Sequence, residues 1–183
     1  MRHLIARSSR LNRLALIFSP ILALALVTLS PFAGTASAAS QELQFGAGVH
    51  YMDTVGDIKD SEQFDSSALN VLIALKRAFE LISVEVDSEW SLDFGGSDKT
   101  LWMPQAFGLI GSSLYGGAGI GTGYIYGEWF DNPIYTLRAG FLLPLESLTV
   151  DINANYQFMS SKALENLDSD DWDSVTFGAV LWF

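Results

Sequence analysis

Three carboxylates spaced two residues apart, Glu85, Asp87 and Glu89, stand in the segment ISVEVDSEWSLDF. In an extended chain such positions project from one face, so the three acids form a row. Arg138 sits in the middle of PIYTLRAGFLL, and Asp151 and Asn153 share a face of SLTVDINANYQF. A guanidinium carries five donors in a planar fork and suits a cage of carboxylates. Arg138 is therefore expected to pair with Glu85, Asp87 or Glu89, with Glu89 and Glu85 ahead. Glu42, Gln44, His50, Asp93, Asn155 and Gln157 fall on the same kind of polar face. The chemistry this supports is a polar, ion-paired core. The functional alternative is a narrow, cation-preferring passage, because acids outnumber the one arginine.

Other chemistries find less support. His50 is the single histidine beyond the N-terminal region. A hydrolase would need a serine and an acid within hydrogen-bond reach of it, and no recognisable motif joins them. The run YGGAGIGTGYIY, Tyr115 to Tyr126, could in principle cradle a phosphate. The dinucleotide spacing fails because its third glycine would fall on Thr122 or Tyr124, no helix pattern follows, and a Walker lysine is missing. The acidic stretches Asp53–Asp65 and Asp168–Asp173 could attract a divalent ion, although the EF-hand spacing is missing and solvated loops are the simpler reading. Cysteine is absent, which removes disulfides, thiol catalysis and zinc–thiolate sites. No catalytic residue, resident metal or cofactor is expected.

The N-terminal region has the order basic, apolar, small. MRHLIARSSRLNR carries four arginines, an apolar stretch follows, and AGTASA places small residues at Ala36 and Ala38. This is the pattern of a secretory signal peptide over 1–38, leaving 39–183 as the mature domain. The mature part holds six basic residues against 21 acids, net −15. Such a surface repels nucleic acid, whose binding requires Lys and Arg to displace counterions.

The mature chain has period two almost throughout. Leu69, Val71, Ile73 and Leu75 share one face, as do Tyr135, Leu137, Ala139, Phe141 and Leu143. Val175, Phe177, Ala179, Leu181 and Phe183 form the last such row. Eight strands follow from this pattern, the fourth (LWMPQAFGLIG) weakened at Pro104, where a bulge or an irregular end is expected. Connections alternate between short (near 77–79, 112–114 and 144–147) and long, which implies an up-and-down meander. Eight alternating strands of about ten residues suit a closed barrel able to cross a bilayer. Within it, Gly117, Gly119, Gly121 and Gly123 would line the interior and make room for long residues opposite.

Alternation alone does not say which face points outward. Clean apolar faces, glycines and hydrogen-bonding groups on the opposite faces, and long connections at one end favour apolar-out. Aromatics near strand ends (Tyr51, Phe94, Trp102, Tyr124, Tyr126, Trp129, Tyr135, Tyr156, Phe158, Trp182, Phe183) read as interfacial girdles. With the signal peptide, the strand YGGAGIGTGY and the terminal strand VTFGAVLWF, the chain resembles the small eight-stranded outer-membrane β-barrel proteins of Gram-negative bacteria, of OmpX and OmpA-barrel type. The resemblance implies an all-β, eight-stranded antiparallel transmembrane barrel. It also implies an assembly signal in the last strand, carried here by Phe177, Ala179, Leu181 and Phe183 and read by the outer-membrane assembly machinery. Outer-membrane lipid and lipopolysaccharide are the expected surroundings, and the chain is expected to be a monomer. A structural or surface-interaction role is favoured. A small-solute channel, a soluble periplasmic lipocalin-like barrel and a lipid A-modifying enzyme stay open.

Overall fold

The computed structural model describes residues 43–55, 67–95, 99–160 and 171–183. The signal-peptide assignment, Glu42 and most of the two acidic stretches lie outside these residues. Eight long strands make the wall: β1 (Leu43–Val55), β2 (Ser67–Phe79), β3 (Ile82–Leu92), β4 (Leu101–Gly111), β5 (Leu114–Gly121), β8 (Ile134–Pro144), β9 (Thr149–Ser160) and β10 (Asp171–Trp182). A small hairpin, β6 (Tyr124–Ile125) and β7 (Glu128–Trp129), lies between β5 and β8. Every pairing in the wall is antiparallel. The first and last strands join from Gly46↔Trp182 to Val55↔Asp173. Pairing of β3 with β4 completes the ring. Closure leaves no free edge, the condition that a bilayer imposes on a strand protein.

The period-two pattern becomes a wall with opposite faces. Phe45, Val49, Leu69, Ile73, Leu137, Phe141, Ile152, Phe177 and Leu181 are exposed outside, while Glu85, Asp87, Glu89, Arg138, Asp151 and Gln157 are buried inside. A soluble barrel of this size would be the reverse. Burial of four carboxylates with exposure of the aliphatic rows makes sense only if the outer face meets hydrocarbon.

Short turns gather at one end, at 80–81, 112–113 and 145–148. The first lies slightly beyond its expected place: the left-handed residue is Glu80, with φ of 51°. Pro104 causes no bulge. It stays in register opposite Ser88, and its carbonyl accepts the Thr122 amide at 3.2 Å, so only one ladder bond is missing.

The aromatic girdle is real at the loop end but smaller than expected. Trp102 and Tyr124 pack on Trp129, with centroids 5.3 Å and 5.1 Å apart, and Tyr135 stacks on Phe158 at 5.7 Å. Phe94 and Trp182 do not belong to it; both are buried inside. Asp93 takes φ of 53° and turns the chain, carrying Phe94 over the barrel mouth. Trp182 simply has the inward parity of β10, between exposed Leu181 and Phe183. Thr122, whose alternation with the inward Gly121 and Gly123 would put it on the outer face, is also fully buried where β5 ends.

Candidate functional site

The interior is built in layers, each charged group held by donors from several strands. At the turn end, Asp151 of β9 accepts hydrogen bonds from Tyr115 Oη (2.7 Å) and Trp182 Nε1 (3.2 Å). Lys76 of β2 places Nζ 3.9 Å from Asp151 Oδ2 and 3.9 Å from the centre of the Trp182 ring. Parity put Lys76 on the inner face, but its position at the edge of the apolar segment obscured it. Arg138 is therefore not the single inward cation.

Arg138 occupies the next layer. Nη1 donates to Glu85, Nη2 donates to Asp87 Oδ2 at 2.9 Å, and Nε donates to Asn155 Oδ1 at 2.5 Å. The guanidinium carbon lies over the Phe107 ring, 3.7 Å from its centre. Asn155 Nδ2 donates onward to Thr176 Oγ1 at 2.7 Å and more weakly to Asn153 Oδ1 at 3.4 Å. Two carboxylates on one fork is the arrangement that makes a buried ion pair tolerable, because each charge keeps both a counter-charge and hydrogen bonds.

Glu89 stands apart from Arg138 and forms a third centre. His50 Nδ1 lies 3.0 Å from Glu89 Oε1, and Asn70 Nδ2 donates to the same oxygen at 2.7 Å. Gln105 Nε2 reaches Oε2 at 3.4 Å, and Gln105 Oε1 accepts from Thr136 Oγ1 at 2.7 Å. Of the expected group, the structure thus joins Arg138 to Glu85 and Asp87. It gives Glu89 to His50 and Asp151 to Lys76. Asn153 enters only through Asn155.

Buried apolar clusters flank the charged interior. At the loop end, Met52, Ala68, Phe94, Leu101, Met103, Ile125, Phe130, Ile134 and Met159 form one buried cluster. Two further clusters, Leu72, Ala74, Val180 and Trp182, and Phe107, Leu109 and Tyr115, pack alongside the charged groups, with Leu72 opposite Glu89, Ala74 opposite Asp87 and Phe107 opposite Glu85 in the ladders. The inner face of β4 is thus mostly apolar around Gln105, which period-two reading of that strand did not resolve.

The glycine run explains how these large groups fit. A Cβ on Gly119 would come within 2.4 Å of the Phe107 ring, and one on Gly123 within 2.1 Å of Phe130. One on Gly121 would meet Gln105 at 2.6 Å. The strip is therefore the floor under the inward side chains of β4 and the Phe130 plug. The terminal-strand residues sit outside: Phe177, Leu181 and Phe183 are exposed and Ala179 is half-buried, and the Phe183 amide donates to Phe45 O at 2.9 Å.

The same architecture occurs in the crystal structure of Neisserial surface protein A. The TM-score is 0.60 at 11% identity, covering 76% of this chain and 95% of that one. The likeness is one of fold: an eight-stranded antiparallel barrel of outer-membrane type. A de novo designed transmembrane β-barrel aligns with a TM-score of 0.46 at 10% identity, over 81% of this chain and all of the design. No protein-family model matches the sequence, and no curated protein does.

Proposed function

We propose that this chain is a sealed outer-membrane barrel, acting through the surface it presents rather than through a conducting lumen. The observation carrying this reading is the closed interior. Glu85, Asp87, Glu89, Asp151 and Arg138 are buried and each has an internal partner, an apolar cluster covers them at the loop end, and further apolar side chains pack among them. A path for ions would need a wet, continuous lining, and eight strands leave room for little beyond their own side chains. Under this reading the role is structural or interactive, in envelope integrity, adhesion or partner binding. The acidic stretches Asp53–Asp65 and Asp168–Asp173 would meet lipopolysaccharide, with divalent ions bridging like charges. Phe177, Ala179, Leu181 and Phe183 would present the assembly signal. The His50–Glu89 pair supports no hydrolase reading, since it lies beneath the methionine-rich layer, away from any lipid-facing substrate.

The test is conductance of the refolded protein in planar bilayers. The expected record is a flat baseline in molar KCl. Steady, ohmic steps that survive repurification would overturn the sealed reading and favour the channel.

A further inference from the structure

We propose that the loop-end layer is a binding site for a soft monovalent cation, copper(I), with Met52, Met103 and Met159 as thioether ligands and His50 Nε2 as the nitrogen ligand. The chain contains four methionines, and the three beyond Met1 all fall in one buried cluster. They come from β1, β4 and β9. Around the wall, β2 and β3 separate the first two, β5 and β8 the next two, and β10 lies between β9 and β1. The thioethers therefore enter the mouth from three sides. Methionine is a common gap-filler, and a cluster by itself would mean no more than that.

The imidazole supplies the independent observation. His50 is fully buried, two residues below Met52 on the same face of β1. Its Nδ1 is engaged by Glu89 at 3.0 Å, while its distal nitrogen, Nε2, has no partner among the described residues. A metal-binding histidine characteristically gives its second ring N–H to a carboxylate, which fixes the tautomer and leaves the other lone pair for the ion. The same few residues tie the imidazole to the thioethers. Asn70 Nδ2, which donates to Glu89, lies 3.9 Å from Met52 Sδ, and Met103 is directly opposite Glu89 in the β3–β4 ladder.

Ligand type selects the ion. Thioethers with one imidazole are soft donors, favouring copper(I) over calcium, magnesium or manganese, which want oxygen. Charge agrees: the buried interior holds Glu85, Asp87, Glu89 and Asp151 against Arg138 and Lys76. A monovalent cation offsets part of that surplus in a medium where unbalanced charge is costly.

The experiment uses the mature chain refolded in detergent, with copper(I) supplied anaerobically both before and after refolding, and bicinchoninate as competitor. Silver(I) serves as a redox-inert second probe. Wild type is expected to retain one equivalent of copper(I), with sulfur and nitrogen scatterers in its X-ray absorption spectrum. The triple variant Met52→Leu, Met103→Leu, Met159→Leu conserves volume and should lose retention while keeping the gel shift of a folded barrel on boiling. Glu89→Gln should weaken binding by about 10–100-fold, the usual effect of removing a histidine's orienting partner. The proposal is overturned if wild type retains no copper by either route. It is also overturned if the triple variant binds as wild type does, or if the scatterers are all oxygen or nitrogen, which would place the metal elsewhere on this acidic protein.

Discussion

Replacing Arg138 with methionine removes the counter-charge of two buried carboxylates at once. Glu85 and Asp87 are both nearly inaccessible and both bonded to the same fork. Removing one member of a buried ion pair costs about 3–5 kcal/mol, since a charge stays behind without compensation. Loss of the contact with Phe107 at 3.7 Å acts in the same direction, so we take about 4 kcal/mol as the working value. For a slope of about 2 kcal/mol per molar urea, the unfolding midpoint falls by about 2 M. The assay is tryptophan fluorescence of the barrel refolded in lipid vesicles across a urea series. A second variant separates charge from shape: Arg138→Met with Glu85→Gln and Asp87→Asn leaves no uncompensated charge, and should recover most of the loss. If Arg138→Met alone stays within about 1 kcal/mol of wild type, far short of the cost of an uncompensated buried charge, water must reach these carboxylates. The sealed interior would then be wrong.

Leu137 lies mid-strand and is 54% exposed. Leu137→Arg should cost about 2–4 kcal/mol in a bilayer, read from the same urea series; a neutral result would mean the outer face does not meet lipid. Gly119→Val drives a side chain into Phe107, where a Cβ already comes within 2.4 Å. It should destabilise by about 1–3 kcal/mol, with partial recovery on adding Phe107→Ala, measured by the temperature at which the folded gel band is lost. Deleting Phe183 or introducing Phe177→Asp should reduce the folded protein recovered in outer-membrane fractions several-fold, while refolding in detergent changes less. Equal loss in both settings would point to a stability defect rather than to assembly.

The apolar rows of β2, β8 and β10 alternated too cleanly for any element but a strand, and their number and spacing implied closure. The acidic row of β3 likewise announced which face was polar, because two-residue spacing assigns a side chain to one face whatever surrounds it. β4 was less legible: Leu101, Met103, Phe107 and Leu109 point inward, so both of its faces are largely apolar and parity carries little signal. Phe94 was misplaced because a left-handed residue ends the alternation just before it.

Sequence alone therefore determined the strand count, the meander, and which residues of β2, β3, β8 and β9 face inward. Only the tertiary structure decided who meets whom inside. Parity assigns a face but not a height, and height depends on the register of each strand against its neighbours around the ring. That register sets Arg138 level with Glu85 and Asp87, moves Glu89 up to His50, and brings Lys76 and Trp182 down to Asp151. It likewise gathers three methionines from distant parts of the chain into one buried cluster, a convergence that no spacing along the sequence records.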